Sequence, residues 1–252
     1  MTDGPRGSSF GTIAEEYDRW RPSYPAAAVE WLAPSAPATV VEVGAGTGRL
    51  TTLLLARGLD VDAVEPDPRM RAVLARNNPG ARCHASDSTA VPVPEESADA
   101  VVVADAWHWF DPEATMREVR RVLKPGGWLG LVWNVVAEPV EQWELALAGP
   151  DMYDRSTKGG PDGVTERLPL AARDELEFAQ FDWVWDLTPV HRAANLATTS
   201  MAIAMAPDER QEWLESTRSE LQGVCDAAGR DSMPIRHRAS CTRWTPAVVG
   251  LK

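Results

Sequence analysis

The chain has 252 residues, 44% of them hydrophobic, with 25 basic and 37 acidic side chains and a formal net charge of −12. That length can bury one full core without staples, and the acidic balance argues against a nucleic-acid partner, which selects for a basic face. Three scattered cysteines (Cys83, Cys225, Cys241) contain no C-x-x-C pair. They exclude a disulfide framework and a zinc pattern, so no metal is expected, and they read as small buried hydrophobes.

The start, Met1-Thr2-Asp3-Gly4-Pro5, lacks the charged and apolar regions of a secretory signal. No apolar run approaches the roughly 18 residues that suggest a membrane span. Together these features predict a cytoplasmic protein with no membrane partner. The sequence does not set the oligomeric state, monomer or homodimer.

Residues 1–9 are rich in Gly, Ser and Pro and are expected to be a disordered tail. Phe10, Ile13, Ala14, Tyr17 and Trp20 recur at helical spacing and predict one amphipathic helix, ended by Arg21-Pro22. A second helix is expected from Pro25 to Leu32. Strand and helix then alternate: strands over Thr39–Val43, Val61–Glu65, Ala81–Ser86 and Ala98–Ala104, with helices over Arg49–Arg57 and Pro68–Arg76. Asp111-Pro112-Glu113 opens a further helix with a cap, a proline and an acidic first turn. Lys124-Pro125-Gly126-Gly127 closes it before a strand over Trp128–Trp133. Near-continuous apolar strands in a βαβ rhythm predict a parallel sheet covered on both faces.

Beyond Asn134 the pattern changes. Residues 139–148 read as helix and 149–163 as a polar loop. Glu175–Leu187 reads as a strand, Pro207 to Ala228 as a helix, and Ser232–Thr245 as a final strand. The expected class is α/β: a Rossmann-like doubly wound sheet, mostly parallel, with a C-terminal antiparallel hairpin, N-terminal helices and a helical lid-like insertion. Residues 10–252 form a single domain in this reading, with a cap over 10–33, a core over 39–134 and a substrate-facing lid over about 135–230.

The most informative stretch is Glu42-Val43-Gly44-Ala45-Gly46-Thr47-Gly48-Arg49-Leu50. A β-branched run enters a glycine turn and then an apolar helix, the arrangement that holds an adenosine-containing cofactor at the carboxyl edge of a parallel sheet. A phosphate-binding P-loop needs a lysine after the last glycine, and none follows Gly48. A dinucleotide fingerprint needs G-x-G-x-x-G, and its last glycine falls on Arg49. The observed pattern is G-x-G-x-G. Glu65, ending the next strand, can accept two hydrogen bonds from a ribose cis-diol.

With Glu65-Pro66-Asp67, Asp87 with Pro92, and Arg120-Arg121-Val122-Leu123-Lys124-Pro125-Gly126-Gly127, the chain over 39–134 resembles the class I S-adenosylmethionine-dependent methyltransferases of the small-molecule, type 11 kind. The segment Ala14-Glu15-Glu16-Tyr17-Asp18-Arg19-Trp20-Arg21-Pro22-Ser23-Tyr24-Pro25 resembles the entry helix of their trans-aconitate methyltransferase-like branch. Trp107-His108-Trp109-Phe110-Asp111 and Asn134 fit the same branch.

The resemblance implies S-adenosyl-L-methionine as methyl donor, with S-adenosyl-L-homocysteine as product. It implies that Gly44, Ala45 and Gly46 line the methionine part, Glu65 binds the ribose, and Pro66 and Met70 flank the adenine. Asp87 would accept from the adenine amino group, with Ser88 beside it, and Ala104 would contact the amino-acid end. Tyr17 and Arg21 would fold over the site. Glu42 is expected to bond loop amides or the cofactor amine, and Asp67 to cap the following helix. His108, past the end of a central strand, is the candidate catalytic base. Trp183, Trp185, Trp213 and Trp244 either line an acceptor pocket or belong to the core.

The acceptor is expected to be a small molecule with an oxygen or nitrogen nucleophile, a carboxylate included. No Asn-Pro-Pro-Tyr segment follows the fourth strand; Ala104-Asp105-Ala106-Trp107 stands there instead. The alternative reading is a protein of the same fold that binds S-adenosylmethionine or S-adenosylhomocysteine without transferring methyl.

Overall fold

The computed structural model describes residues 7–137, 143–144, 168–169 and 176–246. Its strands are β1 (Thr39–Val43), β2 (Asp60–Val64), β3 (Arg82–His84), β4 (Ala98–Ala104), β5 (Leu123–Val136), β6 (Leu176–Leu187) and β7 (Met233–Trp244). The helices are α1 (Ala14–Trp20), α2 (Ala26–Leu32), α3 (Arg49–Ala56), α4 (Pro68–Asn77), α5 (Pro112–Val122), α6 (Pro189–Leu196), α7 (Ser200–Ala204) and α8 (Pro207–Ala228).

One seven-stranded sheet has the order β3-β2-β1-β4-β5-β7-β6. Strands β1 to β5 pair in parallel, and β7 runs antiparallel to both β5 and β6. This is the doubly wound class the alternation predicts.

The apolar runs of β1 and β4 explain the two covered faces. Val41, Val43, Val101 and Val103 face Met116, Val119 and Val122 of α5. Val40, Ala100 and Val102 face α2 and α3 through Val29, Leu32, Leu50 and Leu54. Each valine, leucine or methionine among them contributes about 1.5–3 kcal/mol when fully buried. Gly130 in β5 lets α2 approach: a Cβ there would lie 2.9 Å from Leu32 Cδ1. Trp128 Nε1 then donates to the Leu32 carbonyl at 2.8 Å, closing the end of α2.

Two departures have local causes. The single entry helix is split into a 3-10 turn over Gly7–Ile13 and α1, so residues 7–9 of the expected tail belong to that turn. Docking decides this. Gly11 lies against Asp67, where a Cβ would fall 2.3 Å from a carboxylate oxygen. The fifth strand is also longer than expected, because Lys124–Gly127 is absorbed into β5 rather than only closing α5. The register shifts there, Ala98 pairing Leu123 and Ala100 pairing Trp128, with Gly126 at φ 83°. Lys124 Nζ meets Asp99 Oδ2 at 2.8 Å.

The helix expected over 139–148 and the loop over 149–163 lie outside the described residues, apart from Trp143 and Glu144, which are helical. Helix α8 has the expected bounds, with Thr217, Leu221 and Cys225 buried four residues apart and Gly229 at φ 61° ending it. Among the described residues no helix is long and apolar enough to cross a membrane.

Leu131, at the centre of β5, is 1% exposed. Leu131→Ala should lower unfolding free energy by about 2–5 kcal/mol, the range for a large-to-small core substitution. Urea unfolding followed by tryptophan fluorescence checks this, and an unchanged midpoint would contradict the packing described.

Candidate active site

The carboxyl ends of β1, β2 and β4 meet at one place, and backbone amides organise it. Gly44 N–H and Ala45 N–H both donate to the Val64 carbonyl, at 2.9 and 3.1 Å. Gly44 (φ 71°), Gly46 (φ 59°) and Gly48 (φ 88°) all lie in the left-handed region that non-glycine residues avoid. At Gly48 a Cβ would also lie 2.4 Å from both Asn78 Nδ2 and Leu74 Cδ1, so two buried side chains would have to move. At Gly44 a Cβ would lie 2.8 Å from the Ala106 Cβ, so the turn after β4 presses on the glycine turn. At Gly46 only the Met70 methyl comes near, at 3.8 Å.

Glu65 is the hub. Its Oε2 accepts from Gly46 N–H at 2.8 Å and its Oε1 from Asp67 N–H at 2.8 Å. Each oxygen keeps a lone pair for a further donor. Burial pushes its pKa up, and the two amide bonds act against that. Asp67 caps α4 as expected, accepting from Arg69 N–H and Met70 N–H.

Glu42 does not bond loop amides; that task falls to Glu65. Glu42 lies under the turn, 1% exposed, and its Oε2 accepts from Thr51 Oγ1 at 2.5 Å. Burial raises its pKa to about 8.

The other expected residues spread around the turn. Ala45 is buried in the core, and Met70 packs with Ala14 and Val73 of the cap and α4. Pro66 is exposed. Asp87 is exposed and accepts from Thr89 N–H and Oγ1. Ser88 turns inward instead, accepting from Thr115 Oγ1 at 2.8 Å. Ala104 is half-buried at the end of β4. His108 is exposed on a 3-10 turn over Trp107–Trp109, its ring 4.6 Å from that of Trp109.

Tyr17 and Arg21 lie together at the end of α1 in the cap. Phe10 meets Tyr17 edge-on at 5.5 Å, and the Arg21 guanidinium lies 5.0 Å above the Tyr17 ring. Arg21 Nη2 donates to the Thr198 carbonyl at 3.0 Å, tying α1 to the end of α6. Burial raises the Tyr17 phenol pKa, and the charges acting on it come from Arg21, Asp105, Arg49 and Glu65.

Sequence reasoning missed Asp105 and Tyr24. Asp105 directly follows β4 with φ 51°, an unusual conformation for a residue with a side chain. Its Oδ2 accepts from Tyr24 Oη at 2.7 Å and its Oδ1 from Asn134 N–H at 3.1 Å. Burial raises its pKa to about 6. The available signal was its position, one residue past an apolar strand. Asn134 continues the chain of bonds: its Oδ1 accepts from Trp183 Nε1 at 3.2 Å, and the Trp183 ring lies 4.9 Å from His237. No sequence pattern pairs β5 with β7 at that register. Of the other tryptophans, Trp185 also meets His237, and Trp244 is buried in the core under Arg120.

The site fits an adenosine-containing methyl donor. Thr47 Oγ1 is buried beside the glycine turn with no partner among the described residues. Gly46 leaves room above the turn, and Glu65 offers lone pairs beside it for a pair of ribose hydroxyls.

A doubly wound sheet with a glycine turn after β1 and a carboxylate after β2 defines a nucleoside-cofactor-binding fold. Comparison with known proteins narrows this. Residues 41–131 match the family model described as a methyltransferase domain. An uncharacterized methyltransferase of Mycobacterium tuberculosis is 38% identical over 239 residues, covering 95% of this chain and 96% of that protein. One from Schizosaccharomyces pombe is 36% identical over 226 residues, covering 85% and 87%. Among solved structures, a candidate type II methyltransferase from Anaeromyxobacter dehalogenans shares the fold with a TM-score of 0.63 at 23% identity, over 89% of this chain and 96% of that one. The chain belongs to the class I S-adenosylmethionine-dependent methyltransferases.

The Glu42 shift has a testable sign. A carboxyl whose folded pKa is about 8 and whose ordinary value is 4.5 keeps its proton only in the folded state between those limits. The ligand-free protein should therefore lose stability as pH rises from about 4.5 to 8. Glu42→Gln removes that dependence, so its stability relative to the parent should climb with pH across the window. Urea midpoints at about pH 5 and 8 check this; parallel curves would mean that Glu42 is ionised in the fold.

Proposed function

We propose that this protein transfers the methyl group of S-adenosylmethionine to a small-molecule acceptor carrying an oxygen or nitrogen nucleophile. The observation that carries the reading is Glu65, which holds the glycine turn by Gly46 N–H and still has lone pairs on both oxygens. Bound there, the donor supplies a sulfonium methyl that is already electrophilic. The protein has only to hold it, orient it and keep water away.

In this reading Gly44, Ala45 and Gly46 line the methionine part and Glu65 takes the ribose hydroxyls. Pro66 and Met70 flank the adenine. Asp87 accepts from its amino group, with Ser88 shaping the loop from inside. Ala104 lines the amino-acid end with its backbone. Tyr17 and Arg21 cover the donor, and Phe10 seals the edge against Trp109 at 6.5 Å. A structure of the same fold, the Haemonchus contortus phosphoethanolamine N-methyltransferase 2, was solved with S-adenosylhomocysteine and aligns at TM-score 0.55 and 15% identity over 93% of this chain and 57% of that one. It supports the donor assignment at the level of fold.

Calorimetry distinguishes this from a nicotinamide site. S-adenosylhomocysteine should bind and NAD should not; the reverse would sink the reading. Asp87→Ala should weaken S-adenosylhomocysteine binding by about 1.5–3 kcal/mol, the usual worth of a hydrogen bond to a charged group.

A further inference from the structure

We propose that Asp105 is the acceptor-side anchor and proton acceptor of this site, and that the acceptor it selects is an amine of aromatic size. The inference rests on the methyltransferase reading and names the substrate class that reading leaves open.

The position comes first. Asp105 follows the last residue of β4, and the next residue, Ala106, touches the floor of the glycine turn. Its backbone N–H donates to the Val132 carbonyl at 2.9 Å, which holds the φ of 51°. Strained conformations of this kind persist where surrounding structure over-determines them, and they gather at ligand sites.

The carboxylate is also built into place from outside its own strand. Tyr24, from the segment between α1 and α2, holds one oxygen, and the Asn134 amide of β5 holds the other. Each oxygen keeps a lone pair, so the group is oriented without being used up. The Arg21 charge also acts on it. Arg21 is itself committed to the Thr198 carbonyl and the Tyr17 ring.

One residue links the carboxylate to an indole. Asn134 bonds Asp105 by its backbone and Trp183 by its side chain. Trp183 and Trp185 are half-buried, 6.4 Å apart, and both contact His237. Burial lowers the His237 pKa to about 4, so at neutral pH this ring adds no positive charge.

These features discriminate among acceptors. A carboxylate would enter against the charge of Asp105. An amine enters as its ammonium ion, pairs with Asp105 and lays its apolar part on the half-buried Trp183 indole. Asp105 then takes one N–H proton, and that bond's electron pair stays on nitrogen. The nitrogen pair forms the bond to the methyl carbon as the carbon–sulfur pair returns to sulfur. The products are a methylammonium and the neutral thioether S-adenosylhomocysteine. This places the proton with Asp105, and leaves the exposed His108 to shape its loop.

The test uses the full chain saturated with S-adenosylhomocysteine and a matched pair of probes, 2-phenylethylamine and 3-phenylpropionate, titrated by ligand-observed NMR. The amine should bind at least fivefold more tightly than the acid. Asp105→Asn should weaken amine binding at least fivefold while S-adenosylhomocysteine affinity stays within threefold. Asp105→Asn should also bring the amine-to-acid affinity ratio down toward one, a loss of charge selection that a merely structural role for the pair would not predict. Tighter binding of the acid, binding of neither probe, or indifference of the amine to Asp105→Asn would overturn the assignment. Failure of S-adenosylhomocysteine to bind the parent protein would instead refute the underlying reading.

Discussion

The Val64 carbonyl, at the end of β2, receives two consecutive amides of the neighbouring turn, Gly44 and Ala45, and the next residue in each segment repeats the link through Glu65 and Gly46. Three bonds thus lock the exit of β1 to the exit of β2. The turn can satisfy them only by taking positive φ at Gly44 and Gly46, which is where side chains cost most. Everything that makes the site is hung from this junction. Glu42 is sealed beneath it, where desolvation outweighs the Thr51 hydrogen bond and favours the neutral acid. Asp67, two residues beyond Glu65, starts α4 and abuts Gly11 of the cap.

The cap is held to this junction by Arg49, the residue that breaks the dinucleotide pattern. Arg49 Nε donates to the Pro22 carbonyl at 3.1 Å, and its Nη1 donates to the Asp18 carbonyl. A glycine there would pack α3 closer to the sheet but would leave the carbonyls at the end of α1 without this partner. The Arg76–Glu15 pair also joins cap to α4, at 2.7 Å, but both side chains are more than half exposed. Such a pair contributes little. Burial of Ala14 against Met70 and Val73, with Phe10 and Tyr17 beside them, holds the cap more strongly.

On the far side of β4 the polar chain Tyr24–Asp105–Asn134–Trp183 ties the loop after α1 to β4, β5 and β6 in turn. It joins the donor half of the sheet to the C-terminal half. Separate stretches of sequence must be folded together before any one of these bonds can exist. That explains why Asp105 carries no local signature beyond its place after a strand.

The sheet core was legible because its signals are local. β-branched runs such as Val101-Val102-Val103, caps such as Asp67 and Asp111, and glycines at positive φ each act within a few residues. The same locality made Glu65 and the glycine turn readable as a cofactor edge. Asp87 and Ser88 are adjacent in sequence, yet one faces solvent and the other bonds Thr115 of α5, a split set by how the loop packs rather than by residue type. Glu42 and Glu65 are chemically alike, and only the three-dimensional path of the turn gives its amide to Glu65 and the Thr51 hydroxyl to Glu42. The amino-acid order by itself therefore determined the strands, the helices and the glycine turn between β1 and α3, since those depend on short-range sterics and periodicity. The tertiary structure decided where the entry helix breaks, which carboxylate holds the turn, and that Asp105 meets Tyr24 and Asn134, because those outcomes depend on contacts between residues far apart in the chain.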